Sequence, residues 1–265
     1  MLCSLESLDD PRLDPYRDLK KNNRTRYAGW FIAEGSTVVR RLIDSRFEIL
    51  SLLLAEHAVE AFALRVPVAV PVLVLPDPLV NQLVGFKFHA GVLACGRRIQ
   101  RTRLADAPEI VADRRATLVA CPHTILPDNL GSIIRISSAF GAQGVLVGEA
   151  TTDPFSRRTI RVSMGNIFSL PIVEPPSLEE FLCQLRRDHG FCVVAATGRA
   201  GAAALPIPRP AERIVLLLGH EAHGLDSRWL AISDQAVSIP MSGGTDSLNV
   251  AAAAAVLLYQ FTRAG

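Results

Sequence analysis

Short apolar runs alternate with amphipathic stretches through residues 115–265, and this pattern predicts the fold of that half. Strands are expected at 117–120, 144–147, 192–196, 214–218 and 237–239. Helices are expected at 130–140 and 178–187, with a last helix beginning near Ser247. Nearly all-apolar strands that alternate with helices are typical of a parallel sheet covered on both faces. We therefore predict an α/β domain with a mostly parallel sheet.

The pattern is less regular in the first part of the chain. A helix is expected from Glu34 to Leu42, strands at 49–54, 70–75 and 89–95, and a helix start at 76–83. Between Arg97 and Arg115 the sequence becomes charged, which is typical of a boundary between domains. We predict a first domain at 1–104, a linker at 105–114 and a second domain at 115–265.

Composition describes a packed globular chain without a strong charge. The 265 residues are 49% hydrophobic and carry a formal net charge of +2, which by itself is no argument for nucleic acid. The basic residues are nevertheless clustered, and such clusters are either solvated surface or an electrostatic footprint for phosphates. One cluster comprises Arg12, Arg17, Lys20, Lys21, Arg24 and Arg26, and the other Arg97, Arg98, Arg101 and Arg103.

Cysteine usage and the apolar runs bear on the compartment. The five cysteines are scattered and lack a C-x-x-C spacing, which argues against a disulfide framework and against structural zinc. The first residues lack the pattern of a signal peptide, and the longest apolar run, 250–259, is too short for a membrane span. We expect a cytoplasmic protein with no membrane contact.

Three polar segments follow predicted strands, where ligands of α/β proteins collect. They begin near Asn129, Glu221 and Gly243. The third reads as a strand end, a loop with two glycines, and an alanine-rich helix that Asp246 or Ser247 is placed to cap. Ser247 and Asn249 offer side-chain hydrogen bonds there. One pocket supplied by three strand ends is the expectation.

Several other kinds of site are disfavoured. No G-x-G-x-x-G follows a strand, and neither a phosphate-binding P-loop nor an H-E-x-x-H helix is present. His220 and His223 flank Glu221, but a strand-end turn without a third ligand argues against a metal. No metal site is predicted.

Three segments in order resemble the motifs of the SpoU (TrmH-like) family of RNA ribose 2'-O-methyltransferases, within the knotted SPOUT superfamily. They are DNLGSIIR at 128–135, LLGHEAHGL at 217–225 and IPMSGGTDSLNV at 239–250. The resemblance implies a C-terminal trefoil knot, a feature that composition could never indicate. It also implies a homodimer through the knotted domains, with helix 250–259 apolar enough to help build the interface.

The resemblance implies catalytic roles for five residues. Arg135 matches the arginine that activates the 2'-hydroxyl. A guanidinium is protonated in essentially all protein settings, so it acts either as a base assisted by a substrate phosphate or as an electrostatic stabiliser. Asn129 and Glu221 match residues that orient this arginine or the substrate, and Ser247 and Asn249 match a polar pair near the phosphate and the cofactor.

S-adenosylmethionine is the methyl donor that the resemblance implies. The residues expected to line its site are Thr197, Gly198, Leu218, Gly219, Ile239, Met241 and Leu248. One departure is visible, because His220 stands where the second motif usually has asparagine. Histidine can also donate a hydrogen bond, but it is larger and can titrate.

Residues before 105 resemble, more loosely, the family's small ribosomal-protein-like α/β domain that binds structured RNA. The expected partner is therefore ribosomal or transfer RNA. Two alternatives stay open: a non-catalytic RNA-binding protein with the same fold, and a knotted enzyme that methylates a base. The five matching polar residues argue against the first, and the third motif with Arg135 argues against the second.

Overall fold

The structure is a computed structural model and describes residues 2–19, 28–63, 65–199, 201–242 and 247–263. Its strands are β1 (Leu2–Ser4), β2 (Trp30–Glu34), β3 (Ile49–Ala55), β4 (Val72–Leu75), β5 (Val92–Arg97), β6 (Ala116–Cys121), β7 (Gly144–Val147), β8 (Ile172–Val173), β9 (Cys192–Ala196), β10 (Ala203–Ala204), β11 (Arg213–Leu217) and β12 (Gln235–Ser238). Its α-helices are α1 (Ser36–Ile43), α2 (Val59–Phe62), α3 (Asp77–Val84), α4 (Pro127–Ala139), α5 (Arg157–Val162), α6 (Leu178–His189), α7 (Ser227–Ala231) and α8 (Val250–Arg263).

The chain divides into two units. The first unit is Met1–Ile99 with Phe155–Phe168, and the second is Gln100–Pro154 with Ser169–Gly265. The second unit is built on a sheet in the order β10-β12-β9-β11-β6-β7-β8, in which every neighbouring pair is parallel. Every residue of β6 is buried, as expected for a central strand with cover on both faces. The predicted α/β fold with a mostly parallel sheet is confirmed.

Helices cover both faces of this sheet. On one face, Leu118 and Ala120 of β6 share a core with α6 and with Trp229 of α7. The other face carries α8, where the Arg209 guanidinium donates hydrogen bonds to Thr117 Oγ1 at 2.9 Å and to the Phe261 carbonyl at 2.7 Å. Helix α4 packs against α8. Successive residues of β6 point to opposite faces of the sheet, so Leu118 and Ala120 lie on the face covered by α6 and α7, and Thr117 lies on the face that carries α8.

The first unit contains a mixed sheet in the order β1-β4-β3-β5-β2, with β5 antiparallel to both of its neighbours. Glu34 ends β2 instead of starting the helix predicted at 34–42. Gly35 follows with φ 95°, a conformation that favours glycine, and α1 begins at Ser36. The glycine thus separates strand from helix, and the predicted helix start was two residues early.

Residues 155–168 belong to the first unit, although the sequence prediction had assigned them to the domain 115–265. The rings of Phe155 and Phe168 lie 5.5 and 5.3 Å from that of Phe31. The Glu34 carboxylate is 7% exposed and forms ion pairs with Arg157 and, at 3.2 Å, with Arg161. Aromatic burial and a buried ion pair therefore hold this segment in the first unit.

The predicted linker 105–114 also differs from the structure. Two short 3₁₀-helices, Leu104–Asp106 and Pro108–Val111, lie in this stretch. Ala107 and Ile110, three residues apart, are fully buried in the core of the second unit. The many charged residues around this apolar pair give the stretch the composition of a linker. The boundary between the units instead falls between Ile99 and Gln100.

The Arg97–Arg103 cluster does not form a free basic patch. Arg97 pairs with Glu48 at 2.5 Å, and Arg103 pairs with Asp106 at 3.0 Å. Arg98 and Arg101 are buried. In the N-terminal cluster Arg12 pairs with Asp10 and Arg17 with Asp14, and the remaining members lie outside the described residues: Lys20, Lys21, Arg24 and Arg26. The second cluster therefore does not present a set of unpaired cations to phosphates, because its arginines are paired or buried.

All five cysteines are free thiols. Burial raises the pKa of the Cys95 and Cys121 thiols to about 12, so both stay protonated at neutral pH. Among the helices of the described ranges, none combines the length and hydropathy needed to cross a bilayer.

Phe31→Ala is expected to lower the free energy of unfolding of the first unit by about 3–5 kcal/mol, because it opens a cavity among fully packed rings. Phe31 is fully buried. Its ring lies directly against Gly96 of β5, where an added Cβ would be 2.5 Å from Phe31 Cζ, and glycine has no side chain that could fill the cavity. Urea denaturation measures the change. Phe86→Ala, at a partly exposed ring, is the matched control; an equal loss in both variants would contradict the packing argument.

Candidate active site

A cavity of about 190 Å³ lies at the carboxyl ends of β9, β11 and β12 and against α8. The structure brings together in its wall all seven residues that were expected to hold a cofactor: Thr197, Gly198, Leu218, Gly219, Ile239, Met241 and Leu248. Neighbouring parallel strands end at the same edge of a sheet, which explains why segments far apart in sequence meet here.

The lining of this cavity is mostly apolar with a few polar groups. Met241 and Leu248 are each 41% exposed and contribute apolar surface to the cavity wall. Thr197, Glu221 and Ser247 supply polar atoms to the same wall. Such a lining is typical of a pocket for a small molecule with both an apolar and a polar part.

Side-chain hydrogen bonds join the three polar segments beside the cavity. Asn249 Nδ2 donates to Asn129 Oδ1 at 3.0 Å, and Asn129 Nδ2 donates to Glu221 Oε1 at 3.0 Å. Asn129 is 7% exposed, so its end of both bonds is shielded from water. Asn129 is therefore the centre of a chain of three residues, one from each segment.

Glu221 is held as a carboxylate. Burial raises the pKa of its carboxyl, but the hydrogen bonds from Asn129 and from backbone N–H groups outweigh burial, and the net shift is downward. One of these donors is the Leu126 N–H, 3.3 Å from Oε1, at the start of α4, where the helix dipole also favours negative charge. Oε2 is buried and has no hydrogen-bond partner among the described residues. A buried, ionised oxygen without a donor suits a site that receives a ligand.

The loop that carries Glu221 requires glycine at its base. His220 and Gly224 exchange backbone hydrogen bonds of 3.0 and 2.9 Å, which closes the loop. A Cβ on Gly219 would lie 2.6 Å from the Leu225 nitrogen, closer than real Cβ atoms approach. Gly219 therefore allows the two arms of the loop to pack together and aims Glu221 at Asn129.

Comparison with known proteins identifies the family of this chain. Residues 116–259 match the model of the SpoU rRNA methylase family, which covers more than half of the chain. An uncharacterised tRNA/rRNA methyltransferase of Mycobacterium bovis is 37% identical over 97% of this chain and 90% of its own length. The chain belongs to the SpoU rRNA methylase family. The resemblance indicated by the three motifs is confirmed.

Two further similar proteins carry more specific names. A 23S rRNA uridine 2'-O-methyltransferase of Streptomyces viridochromogenes is 38% identical over 52% of this chain and 49% of its own length. The crystal structure of an AdoMet-bound rRNA methyltransferase from Sinorhizobium meliloti superposes with a TM-score of 0.83 at 29% identity, covering 99% of this chain and 98% of that one. The likeness to that structure therefore extends over both units.

Two of the five residues matched to SpoU catalytic positions stand apart from the hydrogen-bonded chain. Ser247 lines the cavity and is exposed. Arg135 is exposed on α4, and its guanidinium makes no hydrogen bond or ion pair within the described residues. Six residues separate it from Asn129, about 9 Å along the helix and about 120° around it. The structure thus brings Asn129, Glu221 and Asn249 into contact, and Arg135 lies outside this hydrogen-bonded chain.

The cap of α8 differs from the prediction. Asn249 Oδ1 accepts hydrogen bonds from the N–H groups of Ala251 at 2.9 Å and Ala252 at 3.3 Å. Asn249 therefore caps the helix, and Ser247 does not; Asp246, the other predicted cap, lies outside the described residues. The helix begins at Val250 because an asparagine side chain can satisfy its first free N–H groups.

The histidine at position 220, where the second SpoU motif usually has asparagine, has a local structural reason. His220 Nδ1 accepts a hydrogen bond from the Ala222 N–H at 2.9 Å, inside the loop. The imidazole also contacts the ring of His123, with centroids 4.6 Å apart. Sequence reasoning missed His123, although it follows β6 closely, as other site residues follow their strands.

Two variants of Asn249 separate its capping role from its link to Asn129. Asn249→Asp keeps an oxygen that can cap α8 but replaces the Nδ2 donor by an oxygen facing Asn129 Oδ1, so we expect the cap to be retained while kcat falls at least about tenfold. Asn249→Ala removes both, and stability is expected to fall by about 1 kcal/mol as well. Thermal denaturation and methyl-transfer assays measure the two effects. Full activity in the Asn249→Asp variant would show that the bond to Asn129 is dispensable.

Proposed function

We propose that this protein transfers the methyl group of S-adenosylmethionine to a ribose 2'-hydroxyl of ribosomal RNA. The observation that carries the proposal is the hydrogen-bonded chain Asn249–Asn129–Glu221 beside an amphipathic cavity. Membership of the SpoU family and the relatives named for 2'-O-methylation and for bound AdoMet support the reaction type. The protein is an S-adenosylmethionine-dependent RNA 2'-O-methyltransferase. The part that we propose beyond this is that its substrate is ribosomal RNA.

The cavity fits the methyl donor by the chemistry of its wall. Leu218, Ile239 and Leu248 offer apolar contact for a nucleoside ring, and Thr197 and Gly198 offer a hydroxyl and backbone groups. When bound, S-adenosylmethionine supplies a methyl group on a positively charged sulfur. The Glu221 carboxylate in the same wall makes the site electrostatically suited to a cation.

The chain's own polar residues would position the ribose. Glu221 Oε2, buried and without a donor among the described residues, is available to accept a hydrogen bond from a substrate hydroxyl. Asn129 holds Glu221 by one bond and is itself held by Asn249, so the carboxylate is preorganised. The Arg135 guanidinium would stabilise the negative charge that develops on the 2'-oxygen or on an adjacent phosphate.

The two alternatives are less well supported. A non-catalytic RNA-binding protein would not need a buried, ionised carboxylate oxygen in an amphipathic cavity, left without a donor by the described residues. A base-methylating enzyme would be expected to resemble relatives with such names, whereas a relative similar to this chain is named for the 2'-oxygen.

The remaining architecture is proposed from the family. We propose that the C-terminal part forms a trefoil knot. We also propose that the first unit, which is built on a mixed parallel and antiparallel sheet, binds structured RNA. We place the enzyme in the cytoplasm, where ribosomal RNA is modified. A crystal structure in which α8 passes outside every loop would exclude the knot. Deletion of residues 1–99, which make up most of the first unit, should lower the affinity for RNA.

A homodimer through the second unit is also proposed. Val256 and Tyr259 of α8 are 41% and 53% exposed, which leaves an apolar strip on a helix that otherwise packs against α4. Sedimentation equilibrium should give twice the 28.7 kDa chain mass. A mass of one chain at micromolar concentration would exclude the dimer.

The test of the proposed function is transfer of labelled methyl to purified 23S rRNA, 16S rRNA and tRNA in separate reactions, with calorimetry for S-adenosylmethionine binding. Incorporation into one ribosomal RNA is expected. Incorporation into tRNA alone would keep the enzyme class and contradict the substrate. No cofactor binding would contradict the enzyme and favour the non-catalytic alternative.

A further inference from the structure

A second cavity, of about 400 Å³, shares His220 and Gly224 with the wall of the cofactor cavity. Both cavities therefore border the loop that carries Glu221. The side chains that matter in the second cavity are three imidazoles, two guanidinium groups and one indole: His123, His220, His223, Arg199, Arg228 and Trp229. None of these residues was needed to explain how the cofactor or the hydroxyl is held.

The three imidazoles form a continuous aromatic surface. The His220 ring stacks on that of His223, with centroids 5.0 Å apart and an interplanar angle of 20°, and meets that of His123 edge-on at 4.6 Å. Because His220 Nδ1 already accepts backbone N–H groups, Nε2 is the ring nitrogen left to contact a ligand. Within the described residues, no group of three histidine, cysteine or acidic side chains could hold a metal. The surface is thus suited to stacking and hydrogen bonding.

The charge around this surface is positive. Arg199 is exposed, and its guanidinium has no ion-pair partner in the described part of the chain. Arg228 lies over the Trp229 ring at 4.5 Å and is 3.7 Å from Glu179, so its own pairing is loose. Asp226 is the only carboxylate among the described lining residues, and its Oδ1 already accepts from the Trp229 N–H at 3.2 Å. An anion in this cavity would therefore meet two cations and one carboxylate.

We propose that this second cavity binds a nucleotide of the RNA substrate that neighbours the methylated one, with its base against the histidine surface and its phosphate at Arg199 and Arg228. Single-stranded RNA is commonly bound in this way, by stacking on flat side chains together with arginine contacts to phosphate. The shared loop would place the adjoining ribose next to Glu221. The inference rests on the proposed function, because it assigns a subsite to that same RNA.

The test measures retention of deproteinised 23S rRNA on filters across a salt series, for the full chain and its variants. Arg199→Ala and His123→Ala should each raise the RNA Kd about tenfold. Arg199→Ala should also make the slope of log K for association against log salt less negative by about 0.7, the value for one phosphate contact on a single strand. Arg199→Lys should keep the slope, because it keeps the charge.

Arg114→Ala is the matched control, since it removes the same charge from an exposed residue before β6, at the opposite end of the strands. Calorimetry should give an unchanged Kd for S-adenosylmethionine in every variant. If Arg199→Ala and His123→Ala bind the rRNA like Arg114→Ala, with the same slope, the proposed subsite is wrong. Because the readout is binding, wild-type protein that binds rRNA without methylating it would contradict the proposed function and leave this comparison intact.

Discussion

Asn129→Ala is expected to lower kcat for methyl transfer by about 10²–10³-fold, the loss typical of removing one preorganised hydrogen-bond donor from an active site. Asn129 is the only side chain among the described residues that bonds both Glu221 and Asn249. Without it, Glu221 keeps its backbone donors but loses the side chain that aims it. Steady-state kinetics, with Kd for S-adenosylmethionine measured separately, should show a loss in kcat that far exceeds any change in cofactor binding.

A double-mutant cycle tests whether Asn129 and Glu221 act as a unit. Residues in one hydrogen-bonded network give non-additive effects, whereas independent residues give effects that add. We therefore expect the Asn129→Ala/Glu221→Ala variant to be no slower than the slower single variant. Ser132→Ala, three residues further along α4 and outside the described network, is the control and should retain activity. Additive losses in the cycle would separate the two residues.

Arg135→Ala is expected to reduce methyl transfer by at least about 10³-fold while the Kd for S-adenosylmethionine stays within about twofold of wild type. The reason is electrostatic: the guanidinium is exposed, has no partner in the described residues, and is free to meet an oxyanion or a phosphate. Arg135 does not line the cofactor cavity, so the donor should bind normally. Equilibrium binding and single-turnover transfer measure the two quantities.

Two further variants make the Arg135 result specific. Arg135→Lys keeps the charge but not the planar, multiple donors of the guanidinium, so only part of the activity should return. Arg114→Ala removes an equal charge elsewhere and should leave the rate unchanged. Turnover close to wild type in the Arg135→Ala variant would exclude this residue from the reaction.

The strand ends and the cavity were predictable from the sequence because they follow from local pattern. All-apolar runs such as the one in β11 specify buried parallel strands, and parallel strands deliver their carboxyl ends to one edge of the sheet. The residues that follow those ends therefore had to meet in one place, as Thr197, Gly219 and Ile239 do in the cavity wall.

Long-range packing was not predictable in the same way. Nothing local to Phe155 and Phe168 indicates that their rings pack on Phe31, which lies in a distant part of the sequence. The pairing of Glu34 with Arg161 depends on the same tertiary contact. The α8 cap was not predictable either, because serine and asparagine are both good capping residues and only the backbone path decides between them.

The measurement that tests the account most directly is the position of the new methyl group. RNA methylated by the purified protein is digested to nucleosides and examined by mass spectrometry with fragmentation of the glycosidic bond. The account predicts that the added mass stays with the ribose fragment. A methyl group found on the base would contradict the proposed roles of Glu221 and Arg135 at a 2'-hydroxyl.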